Sequence, residues 1–386
     1  MLPKKLHKKL EERKHNNALR QLGGASNLID FSSNDYLGFA KSSRIYNKTL
    51  QRIEDHHIKY NGATGSRLLS GNHKLYDQLE DKIAKFHYVA SALVFNSGYD
   101  ANLGLLSSVA QRGDIIFYDE YSHASIRDGI QLSHAKSYKF KHNDLKNLEK
   151  ILKHTSTSSA NVQHDNSTIF IVTESVFSMD GDTPDLKTLY KLSQTYNAHL
   201  IIDEAHAVGV FGKGLVDFPV FARIVTFGKA LGCHGAAILG TKDLKKYLIN
   251  FSRALIYTTG LSPHSVATIK CAYDELQHFE SSILEKSQNP KYLLLKNIEF
   301  FKEEIRRLQL HNHFIVSNSA INCCIISGNE NVKSIAKKLK TKGFDVKPIL
   351  SPTVPQGKER LRFCLHSYNS SAEITEVLEL LATFVL

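Results

Sequence analysis

The chain has 386 residues, more than one hydrophobic core usually organises, so two or more structural units are expected. Its 42% hydrophobic and 23% charged residues are typical of a globular protein, and no apolar stretch approaches the ~20 residues of a membrane helix. The formal charge of +11 favours an anionic partner, but no nucleic-acid-binding motif accompanies it, so a phosphate-bearing small molecule is preferred to nucleic acid. Five cysteines are too few for a disulfide framework and indicate reduced thiols in the cytoplasm.

Residues 1–40 are interpreted as an N-terminal helix and arm. The opening MLPKKLHKKLEERKHNNALRQL is typical of a basic amphipathic helix, which also suits a mitochondrial presequence or a membrane-surface helix. Glu11 and Glu12 interrupt the positive charge and serine is absent, so we favour a helix of the mature cytoplasmic protein without membrane contact. The following LIDFSSNDYLGFA (28–40) predicts a short strand and then turns.

Residues 41–268 predict a large α/β domain. A glycine-rich loop leads into a helix within 62–87, and apolar runs then alternate with helical stretches. Runs without polar alternation indicate strands that are buried on both faces of a mostly parallel sheet, with ligands beyond the carboxyl ends of the strands. The polar segment 153–168 is interpreted as an exposed loop. The predicted strands lie in SALVF, DIIFYDE, STIFIVTES, AHLIIDEAH and RIVTFGK.

Residues 269–386 predict a smaller α+β domain. Its sequence begins within a long helical region, 266–310, and continues with the strand candidates SAINCCIIS and RLRFCLH. We therefore expect a boundary between the two domains near residue 268.

The segment LIIDEAHAVGVFG places Asp203 at the end of a buried strand and His206 three residues later. One interpretation is a DEAH-type nucleic-acid ATPase. Such an enzyme needs a G-x-x-x-x-G-K-[ST] loop to hold phosphates. Neither VGVFGKG nor VTFGKAL has that spacing, so we disfavour this alternative.

The second interpretation joins Asp203 to Lys229 in VTFGKALG. A lysine that forms a Schiff base must lose its proton near neutral pH, which burial promotes by disfavouring the charged form. Pyridoxal phosphate needs such a lysine together with a carboxylate that keeps its ring nitrogen protonated. Each residue alone has a commoner structural explanation, but together they predict a pyridoxal-phosphate site.

A phosphate-binding region and two further polar residues fit this site. FNSGYDANLG places Gly98 where a strand leads into a helix, so N–H groups and the helix dipole favour an anion, and Thr226 could add a hydroxyl. His123 in SHASIRDG could stack on a planar ring or move protons, although a helix-capping role is about as probable for a histidine there. Ser178 lies in another strand-end loop, where turn chemistry is the simpler explanation.

The chain resembles the α-oxoamine synthase family of pyridoxal-phosphate enzymes. The matching segments follow the family's order from about residue 20 to the C-terminus. They are FSSNDYLG, GATGSRLLSGNH, FNSGYDAN, SHASIRDG, ESVFSMDGDTPDL, DEAHAVGVFG, VTFGKALG and PTVPQGKERLRF. The resemblance implies an aspartate-aminotransferase-like fold (fold type I), with a large cofactor-binding domain and a smaller C-terminal domain.

The resemblance also implies a role for each cofactor-binding position. Lys229 would bind pyridoxal phosphate covalently, Asp203 would pair with its ring nitrogen, and His123 would stack on the ring. The remaining positions would bind the cofactor's phenolic oxygen or its phosphate; they are His206, Ser178, Gly98, Tyr99 and Thr226. Thr259 in IYTTGLSP matches a threonine that reaches the phosphate of the neighbouring subunit, so a homodimer is expected.

Members of this family condense an amino acid with an acyl thioester and release carbon dioxide. Arg20, Thr353 and Arg362 match substrate-side positions, together with His123. The detail of the motifs favours a member that joins L-alanine to a pimeloyl thioester, on coenzyme A or an acyl-carrier protein, in biotin synthesis. Serine palmitoyltransferase and glycine C-acetyltransferase stay open as alternatives, as does a binding protein that kept the fold without catalysis.

Overall fold

The computed structural model describes residues 2–24, 27–158, 167–281 and 286–386. These residues form two compact units. The larger comprises Leu37–Phe177 and Thr183–Lys291, and the smaller comprises Met1–Tyr36, Ser178–Asp182 and Tyr292–Leu386. Across the described ranges, none of the helices has both the length and the hydrophobicity that crossing a bilayer requires.

The helices and strands are numbered along the chain. The helices are Lys4–His15 (α1), Ser43–Asp55 (α2), Lys74–Phe86 (α3), Gly98–Val109 (α4), Ala124–Leu132 (α5), Leu145–Ser158 (α6), Leu186–Thr195 (α7), Lys242–Phe251 (α8), Arg253–Ile256 (α9), Pro263–Ser281 (α10), Pro290–Arg307 (α11), Asn329–Thr341 (α12) and Ser371–Val385 (α13). The strands are Ile29–Asp30 (β1), Ser91–Phe95 (β2), Ile115–Asp119 (β3), Lys136–Phe140 (β4), Ile169–Glu174 (β5), Ala198–Asp203 (β6), Ala222–Thr226 (β7), Ala236–Gly240 (β8), Ile321–Ile325 (β9), Phe344–Asp345 (β10), Lys347–Ile349 (β11) and Arg360–Cys364 (β12).

The larger unit is built on a seven-stranded sheet with the order β2-β8-β7-β6-β5-β3-β4. Strand β8 runs antiparallel to its neighbours β2 and β7. The other neighbouring pairs, β7–β6, β6–β5, β5–β3 and β3–β4, are parallel. The predicted mostly parallel sheet is therefore confirmed. In a parallel sheet the carboxyl ends of the strands share one edge, which is where ligands bind.

Successive residues of the central strands point to opposite faces of the sheet, and both faces are covered. Ile116 packs in one hydrophobic cluster with α4, α5 and α8, while its neighbour Phe117 packs in a second cluster with α6 and α7. Ile201 and Leu200 divide in the same way on β6. This double burial explains why these strands are continuous apolar runs without polar alternation.

The boundary between the units falls after Lys291 rather than near residue 268. Helix α10 belongs to the larger unit because its Asp274 forms ion pairs with Arg52 of α2 (3.0 Å) and Lys82 of α3 (2.8 Å). The long helical region 266–310 consists of two helices, because α11 starts afresh at Pro290, a residue suited to the first turn of a helix.

The N-terminal arm belongs with the C-terminal part of the chain in the smaller unit. Strand β1 pairs in parallel with β10, with Ile29 opposite Phe344. A second, antiparallel sheet has the order β11-β12-β9 and places Arg362 opposite Cys323. The smaller α+β unit thus takes in residues 1–36, which we had expected to form a separate arm.

The predicted exposed loop 153–168 is only partly covered by the structure. Helix α6 continues to Ser158, so the first residues of this segment are helical rather than loop-like. Residues 159–166 lie outside the described residues.

Candidate active site

The carboxyl ends of β5, β6 and β7 bring several predicted site residues to one edge of the sheet. Glu174 at the end of β5 pairs in register with Asp203 at the end of β6, which in turn pairs with Ile224 of β7. Lys229 follows β7 by three residues. The order of the strands therefore places the predicted carboxylate and lysine on neighbouring strands.

Lys229 lies against His206, with its Nζ atom 2.7 Å from His206 Nε2. The lysine is half-buried and the histidine is buried. The loop that carries Lys229 turns at Gly232, whose φ is +61°. A Cβ atom there would come within 2.1 Å of the backbone nitrogen of Ala40, so glycine is required to keep this path of the chain.

Asp203 is buried, and two donors hold its carboxylate. The backbone N–H of Ala205 donates to Oδ1 over 2.8 Å, and the side chain of Asn102 donates to Oδ2 over 2.7 Å. Asn102 lies on α4, the helix that follows the predicted phosphate-binding turn. A buried carboxylate with fixed hydrogen bonds can keep one orientation toward a ring nitrogen.

Gly98 and Thr226 lie next to each other, as expected for residues that share one anion. Gly98 is the first residue of α4, and a Cβ atom on it would lie 3.7 Å from Thr226 Oγ1. Ser97 caps the helix by accepting from the backbone N–H of Asp100 (3.0 Å). The start of a capped helix beside a hydroxyl is a suitable place for a phosphate.

Tyr99 and Thr259 are both exposed in this chain. The Tyr99 hydroxyl donates to Asp128 Oδ2, and this hydrogen bond raises the pKa of the phenol. The segment of Thr259 is held by Asn96, whose side chain donates to Thr259 O (2.6 Å) and to Thr258 Oγ1 (3.1 Å). Asn96 thus connects the turn before α4 to the segment expected to serve a neighbouring subunit.

His123 caps α5, which confirms the simpler of the two explanations for this residue without removing the other. Its ring nitrogen Nδ1 accepts from the backbone N–H of Ser125 (3.2 Å), and the backbone N–H of His123 donates to Glu174 Oε1 (2.7 Å). Desolvation lowers the pKa of His123; Asp203 opposes this shift, whereas Lys229 adds to it. The side chain is otherwise exposed, so its ring can contact a bound molecule.

Glu174 is a site residue that the sequence-based argument missed. Its side chain is buried, and burial, reinforced by the nearby Asp203 carboxylate, raises its pKa from 4.5 to about 8. It accepts the backbone N–H of His123. Glu174 lies at the end of the predicted strand STIFIVTES, and this strand-end position was the signal that could have identified it.

Arg362, predicted to bind substrate, and Ser178, predicted to bind the cofactor, are neighbours in the smaller unit. The guanidinium of Arg362 is buried and donates to Ser178 O (2.7 Å), to Asn34 Oδ1 (3.1 Å) and to Cys364 Sγ (2.9 Å). Ser178 therefore contacts Arg362 through its backbone, while the role predicted for its hydroxyl stays a prediction. Asn34 was not singled out from the sequence, although it lies in the FSSNDYLG segment.

Arg20 and Thr353 are also neighbours. Nη2 of Arg20 lies 3.3 Å from Thr353 Oγ1, although more than 300 residues separate them in the chain. Their predicted role at the substrate stays a prediction.

The chemistry of these side chains fits pyridoxal phosphate. Lys229 supplies an amine, Asp203 a buried carboxylate for the ring nitrogen, and Gly98 with Thr226 a helix start and a hydroxyl for the phosphate. His123 and Glu174 lie within electrostatic reach of both Asp203 and Lys229, so the amine, the carboxylate and the imidazole form one cluster. These are the groups that this cofactor requires of a protein.

Comparison with known proteins identifies the family of this chain. The sequence profile of the aminotransferase class I and II family matches residues 26–381. An 8-amino-7-oxononanoate synthase of Emericella nidulans is 38% identical over 380 residues, which cover 93% of this chain and 90% of that protein. The solved 8-amino-7-oxononanoate synthase of Francisella tularensis is 29% identical, with a TM-score of 0.74 over 93% of this chain and 98% of that one. A serine palmitoyltransferase variant from S. paucimobilis with bound PLP–myriocin aldimine has a TM-score of 0.82 at 22% identity, covering 99% of this chain and 96% of that one, a likeness of fold alone.

The chain therefore belongs to the aminotransferase class I and II family and has its fold type I architecture. Within that family it groups with the 8-amino-7-oxononanoate synthases. It is a pyridoxal-phosphate-dependent acyltransferase, so the predicted fold and cofactor are confirmed and the ATPase alternative is excluded.

Proposed function

We propose that this protein condenses L-alanine with a pimeloyl thioester. The products are 8-amino-7-oxononanoate, carbon dioxide and the free thiol, as a step of biotin synthesis. The observation that carries the proposal is the Lys229–His206 contact beside the buried Asp203, in a chain 38% identical to an 8-amino-7-oxononanoate synthase.

The cofactor would be held by the residues already described. Lys229 would bind it covalently, and Asp203 would pair with its ring nitrogen. Gly98 and Tyr99, with Thr226, would bind the phosphate, while His206 and the Ser178 hydroxyl would bind the phenolic oxygen. When bound, pyridoxal phosphate supplies an electron sink for the charge that develops at Cα of the amino acid.

Three side chains of the larger unit have distinct tasks during the reaction. Lys229 removes the Cα proton, and His206 orients it through their 2.7 Å contact. Asp203 would keep the ring nitrogen protonated by pairing with it, and the donors Asn102 and Ala205 fix the orientation of its carboxylate. His123 holds or moves a proton during the loss of carbon dioxide and contacts the substrate through its exposed ring.

Arg362 would bind the carboxylate of the amino acid, and Arg20 and Thr353 would also contact the substrate. We infer a homodimer in which the partner subunit's Thr259 serves the phosphate. The formal charge of +11 suits either coenzyme A or an acidic acyl-carrier protein as the thiol carrier. The free cysteines in the described residues agree with a cytoplasmic location.

A product assay tests the substrates. The purified, cofactor-supplied protein should release thiol and carbon dioxide with L-alanine and pimeloyl thioester, and the product mass should be that of 8-amino-7-oxononanoate. Glycine and serine, and acetyl and palmitoyl thioesters, are the matched alternatives. Turnover with serine and a long acyl chain, but not with alanine, would replace the proposal by serine palmitoyltransferase activity. A lack of turnover with L-alanine and pimeloyl thioester, together with turnover of glycine and acetyl thioester, would replace the proposal by glycine C-acetyltransferase activity.

Replacing Arg362 with lysine should raise KM for the amino acid by about tenfold or more, because an ammonium cannot keep the three directed hydrogen bonds or the planar fork of a guanidinium. The apparent kcat should change less, since the lost interaction is a binding one. Steady-state kinetics with varied alanine measure the effect. Arg306→Lys, at an exposed position of α11, is the control. An unchanged KM in a variant with the circular dichroism spectrum of the original protein would remove Arg362 from the substrate site.

A further inference from the structure

A continuous chain of hydrogen bonds joins Asp203 to His123 in the larger unit. The side-chain nitrogen of Asn102 donates to Asp203 Oδ2 (2.7 Å) and to Ser125 Oγ (3.1 Å). Ser125 Oγ lies 2.8 Å from His123 Nδ1, and the backbone N–H of Ser125 points at the same nitrogen over 3.2 Å. Neither Asn102 nor Ser125 is part of the site inferred from the sequence.

The direction of each bond in this chain is fixed by chemistry. A backbone N–H can only donate, so His123 Nδ1 must accept and carries no proton. The Ser125 hydroxyl then donates to Nδ1, and its oxygen is left to accept from Asn102. The amide of Asn102 cannot be turned around, because its oxygen would then face the carboxylate of Asp203, which only accepts when ionised.

The packing of α4 against α5 keeps these groups in contact. Asn102 and Ser125 are 2% and 1% exposed, so water does not compete for their bonds. The two helices approach closely at Gly129, where a Cβ atom would lie 2.9 Å from Asn102 O. The network therefore belongs to the buried interior of the unit.

We propose that Ser125 and Asn102 are positioning residues that hold His123 as the tautomer with its proton on Nε2 and connect its orientation to that of Asp203. The role rests on the proposed function only in that His123 and Asp203 act in the site. It gives His123 a defined donor for the substrate, since Nε2 carries the proton that the ring can offer. The same network also connects the residue expected to stack on the cofactor's ring with the residue expected to pair with its nitrogen.

The charged groups that face His123 act on its pKa from several elements. Asp203 and Asp128 favour the charged imidazole, whereas Lys229 and Arg127 oppose it. Glu174 accepts the backbone N–H of His123 rather than a ring nitrogen. A change confined to Ser125 leaves all five of these groups in place, so it isolates the contribution of the hydroxyl.

The test is NMR of the full-length chain with ¹⁵N-labelled histidine, as apoprotein and with pyridoxal phosphate, in which His123→Gln identifies the resonances of His123. In the unchanged chain, Nδ1 should have the shift of an unprotonated nitrogen and Nε2 that of a protonated one. Ser125→Ala should raise the pKa of His123 by about half to one pH unit, the size of one neutral hydrogen bond, because the neutral ring loses a donor at Nδ1, while the backbone N–H of residue 125 still keeps that nitrogen unprotonated. Ser108→Ala is the control, because it removes a buried hydroxyl of α4 that bonds only to carbonyls of its own helix.

Two results would overturn the proposal. One is a proton on Nδ1 in the unchanged chain, and the other is a Ser125→Ala spectrum that matches Ser108→Ala. If Ser125→Ala does not fold, Ser125→Cys is the second variant. It places a weaker donor of similar size at this position, so the pKa of His123 should rise by a smaller amount. Because the tautomer is measured in the apoprotein, the result is independent of turnover. A protein that lacks acyltransferase activity could still have this hydrogen-bond network, and an active protein could lack it.

Discussion

Replacing Lys229 with alanine should abolish turnover, by about a thousandfold or more, and should remove the visible absorbance that borohydride fixes to the protein. The reason is that Lys229 is expected both to bind the cofactor covalently and to move the Cα proton. Its Nζ atom lies 2.7 Å from His206 on a loop that Gly232 forces into one path. A lysine elsewhere on the surface lacks this contact with His206 and therefore should not replace Lys229.

Absorbance spectroscopy, borohydride reduction and peptide mass spectrometry measure the effect. Lys246→Ala, on the exposed face of α8, is the matched control and should retain both absorbance and activity. The circular dichroism spectrum of Lys229→Ala should be unchanged, since the residue is only half-buried. If the reduced cofactor stays on another peptide, or if turnover falls less than tenfold, Lys229 is not the cofactor lysine.

The central sheet and the cofactor side of the site could be predicted from the sequence because each depends on local pattern. Unbroken apolar runs follow from burial on both faces of the sheet, as the division of Ile116 and Phe117 between two clusters shows. Asp203 and Lys229 are recognisable because each ends or follows such a strand. The parallel order of β6 and β7 then brings them to one edge.

The residues that the sequence did not reveal depend on contacts between distant segments. Asn102 and Ser125 are ordinary helix residues until α4 packs on α5. The boundary near residue 268 was misplaced because the pairing of Asp274 with Arg52 joins segments more than 200 residues apart. The pairing of β1 with β10 is equally remote, so the N-terminal arm could not be assigned to the smaller unit from its own composition.

Replacing Glu174 with glutamine should make the folded apoprotein more stable at about pH 8 and flatten the pH dependence of its stability. Burial and the neighbouring Asp203 raise the pKa of Glu174 in the folded chain from 4.5 to about 8. Between these values the folded chain holds a proton that the unfolded chain has released. The free energy of unfolding therefore falls as the pH rises through this window, by several kcal/mol at most. Glutamine has no proton to lose, and its side-chain oxygen can still accept the backbone N–H of His123.

Urea unfolding of the apoprotein at about pH 5, 6.5 and 8 measures the effect, with circular dichroism as the probe because the chain has no tryptophan. The midpoint of the original protein should fall toward the alkaline end more steeply than that of Glu174→Gln, and the two should differ least at the acid end. Glu303→Gln removes the same charge from an exposed position of α11 and should follow the original protein throughout. Parallel curves for the original protein and Glu174→Gln would mean that Glu174 is ionised in the folded chain at neutral pH. Glu174 would then add a negative charge of its own near Asp203 and Lys229 at that pH.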